Sequence, residues 1–478
     1  MGRSRAAYAG TNRYGYGGGQ VTNAVAPATR SAPAISTYRE AAYGAPYLAK
    51  AFLFTPMLAF IPSFYSVDHG VSLAVLGTII FLTRLTDVIT DPLIGVLSDR
   101  TRTRWGRRKI FIAAGLPLLL VSTWMVLVPP LEVDLWYAGI WMALLYLGFT
   151  LVDIPYRTWG AELVSGYNSR TRIVAWREAF GMASGLLALV TIVAAPSLGY
   201  GATADTLWLL ATIFTVLLIP LLVLTLVLVP EPPLPEPSEV TVPRVNVKEQ
   251  LTLLRANKPF MWLLGGTVVL LSGAIIGASL HLIVMESYFG IRAWFPYILA
   301  GESIMGMASA PCWVWLSKRI GKHRAMALGT FLMAAFSAPI PLLAPDAHYA
   351  YAAIIIVRGF AGGALAILIS SMLADVIDVD SLSSGKSRGG FFFALMGMVG
   401  KAGVALGSFV GLVLPSLFGF DPAEPLNSDT ALRALVMTYA WIPMIIMGCA
   451  SWFFLRYPLT QTEFEKTQRI MPKSAPVS

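Results

Sequence analysis

The most constraining feature of the sequence is a succession of apolar stretches, each long enough to cross a lipid bilayer. A membrane-spanning helix needs about 20 mainly apolar residues, and the chain holds about twelve such stretches. Only 13% of the 478 residues are charged and 56% are hydrophobic, whereas a soluble domain carries about 25% charged residues. We therefore predict an all-α integral membrane protein, surrounded by a lipid bilayer. The stretches cover residues 43–66, 73–97, 109–129, 134–160, 173–197, 206–229, 259–286, 293–316, 325–344, 348–372, 391–418 and 429–456.

The chain divides near its middle. Residues 230–237 read PEPPLPEP, which is incompatible with a helix and predicts an extended linker. Residues 1–40 are rich in small and polar residues and lack the apolar core of a signal peptide, so we expect a disordered cytoplasmic tail. The predicted order after that tail is an N-terminal six-helix bundle, a linker, a C-terminal six-helix bundle and a second cytoplasmic tail, at residues 41–229, 230–258, 259–456 and 457–478.

Basic residues concentrate in alternate loops. Loop 98–109 holds six Lys and Arg residues and loop 317–324 holds four, whereas the loops between them are poor in both. Because positively charged loops stay on the cytoplasmic side, we expect these loops, the linker and both termini in the cytoplasm of a bacterial inner membrane. The net charge of +9 is explained by this asymmetry, so we expect no nucleic-acid partner.

The two halves repeat each other. Leu97-Ser-Asp-Arg100, before a basic loop, recurs as Leu316-Ser-Lys-Arg319. Glu162 and Arg172 correspond in the same way to Asp375 and Arg388. The offsets of 213 to 219 residues match the length of one half. Two pseudo-symmetric halves joined by a linker predict the major facilitator fold, which binds its substrate between the halves near the middle of the membrane.

Ionisable residues lie inside the predicted spans, where each costs about 2.5–3.5 kcal/mol near the bilayer centre. They must therefore face a polar interior and pair with each other, with water or with a ligand. No nucleophile–base pair and no metal-ligand spacing of the two cysteines and four histidines occurs, so we expect neither an enzyme nor a cofactor. The intramembrane charges are Lys50, Arg84, Asp87, Asp91, Asp153, Arg157, Arg177, Glu178, Glu302, Arg358 and Lys401.

Two of these charges form an acid pair in the second span. Asp87 and Asp91 are four residues apart, so they share one helix face at about 6 Å. Two carboxylates at that distance repel by about 3 kcal/mol at an effective dielectric constant near 20. The pair therefore attracts a proton, a sodium ion or a basic side chain, which predicts a site for a coupling cation. The alternative is structural: Arg84, one turn earlier, bridges neighbouring helices together with one of the acids.

Loop 98–109 follows the acid pair directly. Its charge serves membrane topology, and a second interpretation is a cytoplasmic gate in which Asp99 caps or pairs across helix ends. In an outward-open state we expect the gate residues to contact the linker or the other half, through Asp375 and Asp378. The gate residues predicted in the loop are Asp99, Arg100, Arg104, Arg107 and Arg108.

Residues 84–95 read RLTDVITDPLIG and are followed by Asp99-Arg100 and by Arg104-Trp105-Gly106. This long pattern resembles the glycoside–pentoside–hexuronide:cation symporters, the melibiose permease family of the major facilitator superfamily. The resemblance covers about residues 43–456. Its further matches are Asp153-Ile-Pro155, Arg177, Asp375, Asp378 and Lys401.

The resemblance implies symport of a glycoside or another sugar-like solute with Na⁺ or H⁺ by alternating access. It implies a cation at Asp87 and Asp91, helped by Thr150, and sugar contacts from Asp153 and Arg177. We expect Thr90 to contribute to the same cation site. The lysine at position 401 would lie beside the acids. Thr90 stands where the melibiose permease has an asparagine, Lys50 is followed by Ala51 instead of a sugar-binding aspartate, and Arg157 replaces a tryptophan. The alternatives are a lysolipid transporter of the same clan and a non-transporting protein of this fold.

Two expectations concern individual basic residues. Lys401 should approach the cluster of Asp87, Asp91 and Asp153 from the other half, the alternative being a contact with backbone carbonyls of its own half.

The intramembrane charges also bear on the substrate. There are six basic intramembrane groups and five acidic ones, and the planar guanidinium of an arginine can bind a carboxylate through two hydrogen bonds. We therefore hypothesise an anionic substrate, first a uronide and next a neutral glycoside, bound by Arg157, Arg177, Lys401, Lys50 and Asp153. The alternative for Arg157 is a pair with Asp153 alone. We expect a monomer.

Overall fold

The computed structural model describes residues 35–164, 167–231, 255, 257–384, 389–424, 426–461 and 463. Within these residues the chain forms helices and short connections and contains no strand. The all-helical prediction is confirmed. Most of the two predicted tails, most of the linker and Arg388 lie outside the described residues.

The first predicted span is a broken helix. Proline lacks an N–H group and bends a helix where it interrupts the hydrogen-bond ladder, and Pro46, Pro56 and Pro62 fall in this segment. The two parts, Thr37–Ala59 and Ile61–Asp68, meet at 43°. The pieces are α1 (Thr37–Gly44), α2 (Tyr47–Phe52), α3 (Phe54–Ala59) and α4 (Ile61–Ser63), followed by a π-helical turn at Phe64–Asp68.

The other spans are long helices joined by short connections. Three 3₁₀ turns, at Pro196–Leu198, Arg292–Trp294 and Ile340–Leu342, lie between them. The N-terminal half continues with α5 (Leu73–Arg100), α6 (Lys109–Leu127), α7 (Leu135–Leu163), α8 (Tyr167–Ala194) and α9 (Thr203–Leu228). The C-terminal half contains α10 (Lys258–Ser287), α11 (Phe295–Ile320), α12 (Lys322–Ser337), α13 (His348–Ser384), α14 (Gly389–Leu417) and α15 (Asp429–Leu455).

The helices account for the predicted spans. In the described part of the chain, ten helices are long and apolar enough to cross a membrane, and the bent first segment makes an eleventh. The remaining predicted span, 293–316, falls on α11, a 26-residue helix that carries Glu302 and a basic last turn. The largest difference from a predicted boundary is at α13, which continues to Ser384, beyond the predicted end at 372. Asp375 and Asp378 therefore lie on the helix and not after it.

Small residues let helices approach closely, as is typical of membrane proteins. Within the N-terminal half, Gly148 of α7 lies against the backbone of α6 at Leu119. Within the C-terminal half, Gly407 of α14 lies against Ser272 and Ile275 of α10. Between the halves, a Cβ added at Gly77 of α5 would lie 3.0 Å from Cβ of Leu412 on α14.

The two ends of the molecule differ. We call the end that carries loop 101–108 and residue 231 the linker end, and the opposite end the far end. Among the described residues, polar contacts between the halves lie in the middle, between α5 and α14, and at the far end. The far-end contacts join α4 to α10, and α9 to the 3₁₀ turn before α11. The halves are therefore held together at the far end.

Candidate functional site

The acid pair on α5 holds a basic side chain from the other half. Nζ of Lys401, on α14, lies 2.6 Å from Oδ2 of Asp91 and 3.1 Å from Oδ2 of Asp87. Asp87 is buried, with a 3% exposed side chain. The structure thus brings Lys401 to both carboxylates across the interface between the halves, and not to backbone carbonyls of its own half.

Two more side chains complete this group. Thr150 of α7 donates a hydrogen bond from Oγ1 to Oδ1 of Asp91 at 3.1 Å. Nη1 of Arg84 lies 3.5 Å from Oδ2 of Asp87, and its guanidinium stacks on the ring of Tyr146 at 3.9 Å from the centroid. Two carboxylates and two basic groups cancel each other's charge. We call Arg84, Asp87, Asp91, Thr150 and Lys401 the acid-pair cluster.

Thr90 does not join the acid-pair cluster, in contrast to the expectation from sequence. Its Oγ1 donates to the backbone carbonyl of Thr86 at 3.1 Å. Consecutive residues of an α-helix are rotated by about 100° around its axis. The hydroxyl of Thr90 is therefore turned away from Asp91 and bonds back to the preceding turn of its own helix.

A second group of charges surrounds Asp153 on α7. Lys50 of α2 forms an ion pair with Oδ1 of Asp153. Nε of Arg157 lies 2.6 Å from Oδ2 of the same carboxylate, and the side chain of Arg157 is 45% exposed, against 1% for Lys50. The alternative pairing of Arg157 with Asp153 is therefore present in the structure. Lys50 is buried in its ion pair with Asp153, whereas the guanidinium of Arg157 stays accessible on one side.

Aromatic residues frame this second group, and sequence reasoning missed them. Nζ of Lys50 lies 4.4 Å from the ring centroid of Tyr156, which stacks on Tyr43 at 4.5 Å. Nη2 of Arg157 donates to the hydroxyl of Tyr47 at 3.1 Å. A cation over an aromatic face is stabilised by the ring's quadrupole. The usable signal was the spacing of Tyr43 and Tyr47, four residues apart and shortly before an intramembrane lysine.

Arg177 of α8 lies beside Tyr47 as well. Its Nη2 donates to Oε1 of Glu178 at 2.7 Å, and its guanidinium lies 5.3 Å from the Tyr47 ring centroid. Tyr47 therefore connects Arg157 and Arg177. We call Lys50, Asp153, Arg157, Arg177 and Glu178 the basic cluster, because its three basic and two acidic side chains leave one positive charge.

The predicted gate residues of loop 98–109 pair within their own half. Arg108 is buried and forms ion pairs with Asp99 and, at 2.7 Å, with Oε1 of Glu162. Burial alone would lower the pKa of Arg108, but the hydrogen bonds and charges of Glu162 and Asp99 outweigh it and raise that pKa. Arg107 lies 2.8 Å from the same Oε1 of Glu162. The loop is thereby fixed to α7 by charge.

Glu231, the second residue of the linker, also holds this loop. Oε1 of Glu231 accepts hydrogen bonds from the backbone N–H groups of Arg107 and Arg108 at 2.7 and 2.8 Å. These two residues directly precede α6, where a carboxylate satisfies backbone donors that have no partner inside the helix and is favoured by the helix dipole. Of the other gate residues, Arg104 lies over the ring of Trp105, 5.8 Å from its centroid, and Arg100 is exposed.

Asp375 and Asp378 are not brought to the loop. Asp375 pairs with Lys322 of its own half at 2.7 Å, and Asp378 lies one turn farther along α13. Of the contacts expected for an outward-open state, the one with the linker is made through Glu231, and the one with Asp375 and Asp378 of the other half is not made in this conformation. The physical reason is that the halves are held together at the far end, which leaves each charged group at the linker end to pair locally.

The remaining intramembrane charges form a pair inside the C-terminal half. Nη2 of Arg358 on α13 lies 2.9 Å from Oε1 of Glu302 on α11. Nearby, Nδ1 of His281 lies 2.8 Å from the hydroxyl of Tyr439, which lies 3.1 Å from that of Tyr351. This pair neutralises two charges that the sequence left without an assigned partner.

Comparisons with known proteins agree with this architecture. The family described as "MFS/sugar transport protein" matches residues 42–461. An uncharacterized symporter of Synechocystis sp. is 27% identical, over 88% of this chain and 94% of that protein. A glucuronide carrier protein homolog of Escherichia coli is 25% identical, over 88% and 92%. The crystal structure of a D-xylose-proton symporter superposes with a TM-score of 0.60 at 15% identity, covering 88% of this chain and 98% of that one.

The structural similarity establishes the major facilitator fold, and the sequence match establishes the family. The match covers the helices that carry the acid-pair cluster and the basic cluster. Members of this family are transporters and not enzymes, so a multi-pass membrane transporter of a small molecule is the coarse function. The chain belongs to the MFS/sugar transport protein family.

Proposed function

We propose that the protein is a symporter that couples a sugar-like solute to Na⁺ or H⁺ by alternating access between its two halves. The observation that carries this proposal is the position of Lys401: one half places an ammonium on the acid pair of the other half. A site built to hold one positive charge between two moving bodies is suited to a coupling cation. Cation binding or protonation there would compete with Lys401 and change how the halves attract each other.

The acid-pair cluster has the ligand chemistry that a coupling ion needs. Carboxylate and hydroxyl oxygens suit hard cations, and Asp87, Asp91 and Thr150 supply them. A proton would instead neutralise one of the two carboxylates, which repel each other across about 6 Å. In both cases the incoming charge takes over the role of Lys401. We place the linker end in the cytoplasm, since the basic loops lie there.

The basic cluster supplies a solute site. Arg157, with its 45% exposed side chain, presents donors beside Tyr47, and the cluster has one positive charge in excess. Tyrosine rings pack on the apolar faces of sugars while hydroxyl groups bond to the polar edges. We propose an anionic sugar such as a uronide as the first candidate and a neutral glycoside as the second. The glucuronide carrier homolog among the relatives supports this order.

The experiment that tests the proposed solute class is counterflow in membrane vesicles. Vesicles preloaded with unlabelled uronide, neutral glycoside or lysolipid are diluted into the labelled compound. We expect transient accumulation of a labelled sugar or uronide. Accumulation of the lysolipid alone would identify the protein as a transporter of amphiphiles and would contradict the proposal.

Arg157→Gln is expected to separate anionic from neutral substrates. Charge-assisted hydrogen bonds contribute about 1.5–3 kcal/mol, so the variant should weaken uronide binding by at least about tenfold and change neutral glycoside binding less. Competition for uptake measures both affinities, with Arg433→Gln, exposed at the far end, as the matched control. Uronide competition that is unchanged in Arg157→Gln would refute the anionic substrate, as would uptake of a neutral glycoside by the wild type with which no uronide competes.

Asp99→Asn is expected to slow transport more than it weakens substrate binding. In this variant Arg108 retains its ion pair with Glu162, so the protein should remain folded. The loop loses one of the two negative charges that hold Arg108. A gate changes the populations of conformations and does not contact the substrate, so we expect a several-fold lower kcat with KM within about twofold. Asp346→Asn, in an exposed far-end loop, is the control. Normal turnover with lost affinity would indicate a ligand role for Asp99 instead.

A further inference from the structure

We propose that Arg292 operates a second gate, at the far end, which keeps this side of the transporter closed in the conformation described here. The gate consists of Ser63, Asp68, Thr203, Glu286 and Arg292, which we call the far-end clasp. The inference rests on the proposed alternating-access function. None of these residues belongs to the acid-pair cluster, the basic cluster or the linker-end gate.

The geometry of the clasp joins the two halves through one guanidinium. Arg292 lies in the 3₁₀ turn between α10 and α11 and forms an ion pair with Glu286, at the end of α10 in its own half. Its Nη2 donates to Oγ1 of Thr203, the first residue of α9 in the other half. The same guanidinium nitrogen lies 3.9 Å from Oδ2 of Asp68, at the end of the broken first span.

A second contact crosses the interface through the same acid. Oγ of Ser63 donates to Oε2 of Glu286 at 3.3 Å, while Oε1 of Glu286 holds Arg292. Glu286 therefore fixes the orientation of Arg292 and also accepts a hydrogen bond from Ser63 of the opposite half. A planar guanidinium with five N–H donors can serve several acceptors at once, which suits a single residue that reaches both α9 and the π-helical turn after α4.

The exposure of the clasp suits a contact that opens and closes. The side chain of Arg292 is 35% exposed and that of Asp68 is 37% exposed, so water can replace each broken hydrogen bond. Such exposed pairs contribute modest free energies and exchange partners readily. A buried pair such as Lys50 with Asp153 could not separate in this way without leaving charges in an apolar surrounding.

An apolar seal lies beside the clasp. The rings of Phe60, next to α4, and Phe295, the first residue of α11, meet edge to face with centroids 5.3 Å apart. Both residues are buried, and they come from opposite halves. Opening of the clasp would separate these rings. The far end would then lead toward the cavity between the halves that is lined by Ile80, Arg84, Tyr146, Ser279 and Ser408.

The position of the cavity gives the clasp a role in the transport cycle. The cavity reaches Arg84 of the acid-pair cluster, so an open far end would admit a cation or solute to that cluster. A closed far end blocks this route while the linker end exchanges its contents. Loss of Arg292 should therefore shift the population toward conformations that are open at the far end.

Cysteine accessibility tests the clasp. Cys312 and Cys449 are both exposed, so they are first replaced by serine, and Ser408→Cys then places a small reporter at a site that is 2% exposed. A membrane-impermeant methanethiosulfonate is added to intact cells and to inside-out vesicles. In Arg292→Ala we expect labelling from the far side to rise several-fold, the shift expected when exposed ion pairs and hydrogen bonds are lost.

Two further variants keep the test decisive. Arg433→Ala, which removes an exposed far-end arginine outside the clasp, should label like the parent. Asp68→Asn with Ser63→Ala removes crossing partners but leaves the ion pair of Arg292 with Glu286 in place, and should also label faster; it replaces Arg292→Ala if that variant fails to fold. Faster labelling from the vesicle side alone would support the clasp but reverse the proposed orientation. Unchanged labelling in both clasp variants would overturn the clasp.

Discussion

Replacing Asp91 with asparagine is expected to abolish cation-driven accumulation of solute while leaving solute exchange in place. Asparagine keeps the shape of the side chain and the hydrogen bond from Thr150, but it removes one of the two charges that hold the cation. The acid-pair cluster would change from neutral to one positive charge, because Lys401 and Arg84 remain. A lost unit charge at 4 Å costs about 4 kcal/mol at an effective dielectric constant of 20, or about a thousandfold in cation affinity.

Asp91→Asn should also remain folded, since Lys401 keeps Asp87 at 3.1 Å. The measurement compares uphill uptake driven by a Na⁺ or proton gradient with counterflow, which needs no coupling ion gradient. Asp87→Asn should behave in the same way, and Asp205→Asn, exposed in the first turn of α9, should accumulate solute normally. Accumulation at wild-type levels in both acid-pair variants would remove the coupling site from this position.

Replacing Asp153 with alanine is expected to destabilise the protein and abolish solute binding together. Lys50 has a 1% exposed side chain and pairs with Asp153, so the variant leaves an unpaired buried ammonium. Breaking a buried ion pair by removing one partner costs about 3–5 kcal/mol. Unfolding of the purified protein in detergent, followed by tryptophan fluorescence, measures this loss. Asp205→Asn again provides the matched control.

A double variant distinguishes stability from solute binding at the same site. Lys50→Met with Asp153→Leu replaces the buried pair by apolar side chains, which is often neutral or stabilising. Arg157 is 45% exposed and can be hydrated once Asp153 is gone. We expect stability near that of the wild type and no solute uptake. Wild-type uptake by this double variant would show that the basic cluster is only a structural element.

The acid-pair cluster could be predicted because membrane interiors penalise unpaired charge. Asp87, Asp91 and Lys401 stand in apolar stretches, so each required a partner, and the pairing of Lys401 with both acids follows from that requirement. The orientation of Thr90 could not be deduced in this way. A threonine hydroxyl in a helix can bond to a backbone carbonyl of the preceding turn, and no feature of the sequence shows whether it does. The hydroxyl of Thr90 bonds in this way to the carbonyl of Thr86.

The aromatic frame and the far-end clasp left weaker signals. Tyr47 contacts Arg157 and Arg177 because α2 packs against α7 and α8, and such a tertiary contact is not marked in the sequence. Arg292 lies in a connection between helices, where water can hydrate its charge. Such a charge does not require a protein partner, so the sequence alone does not predict its contacts. The end of α13 was misplaced for a related reason, since hydropathy reports the bilayer-embedded part of a helix and α13 continues beyond it to Ser384.

Reconstitution of the purified protein tests directly whether a cation gradient drives solute movement through the acid-pair cluster. Purified protein in proteoliposomes receives an inward Na⁺ gradient or, separately, an inward proton gradient, with the membrane potential clamped. We expect one of these gradients to raise the internal labelled solute above the external concentration, and an ionophore for the same cation to abolish the rise. Solute that only equilibrates, at the same rate under both gradients and with neither, would contradict cation-coupled symport.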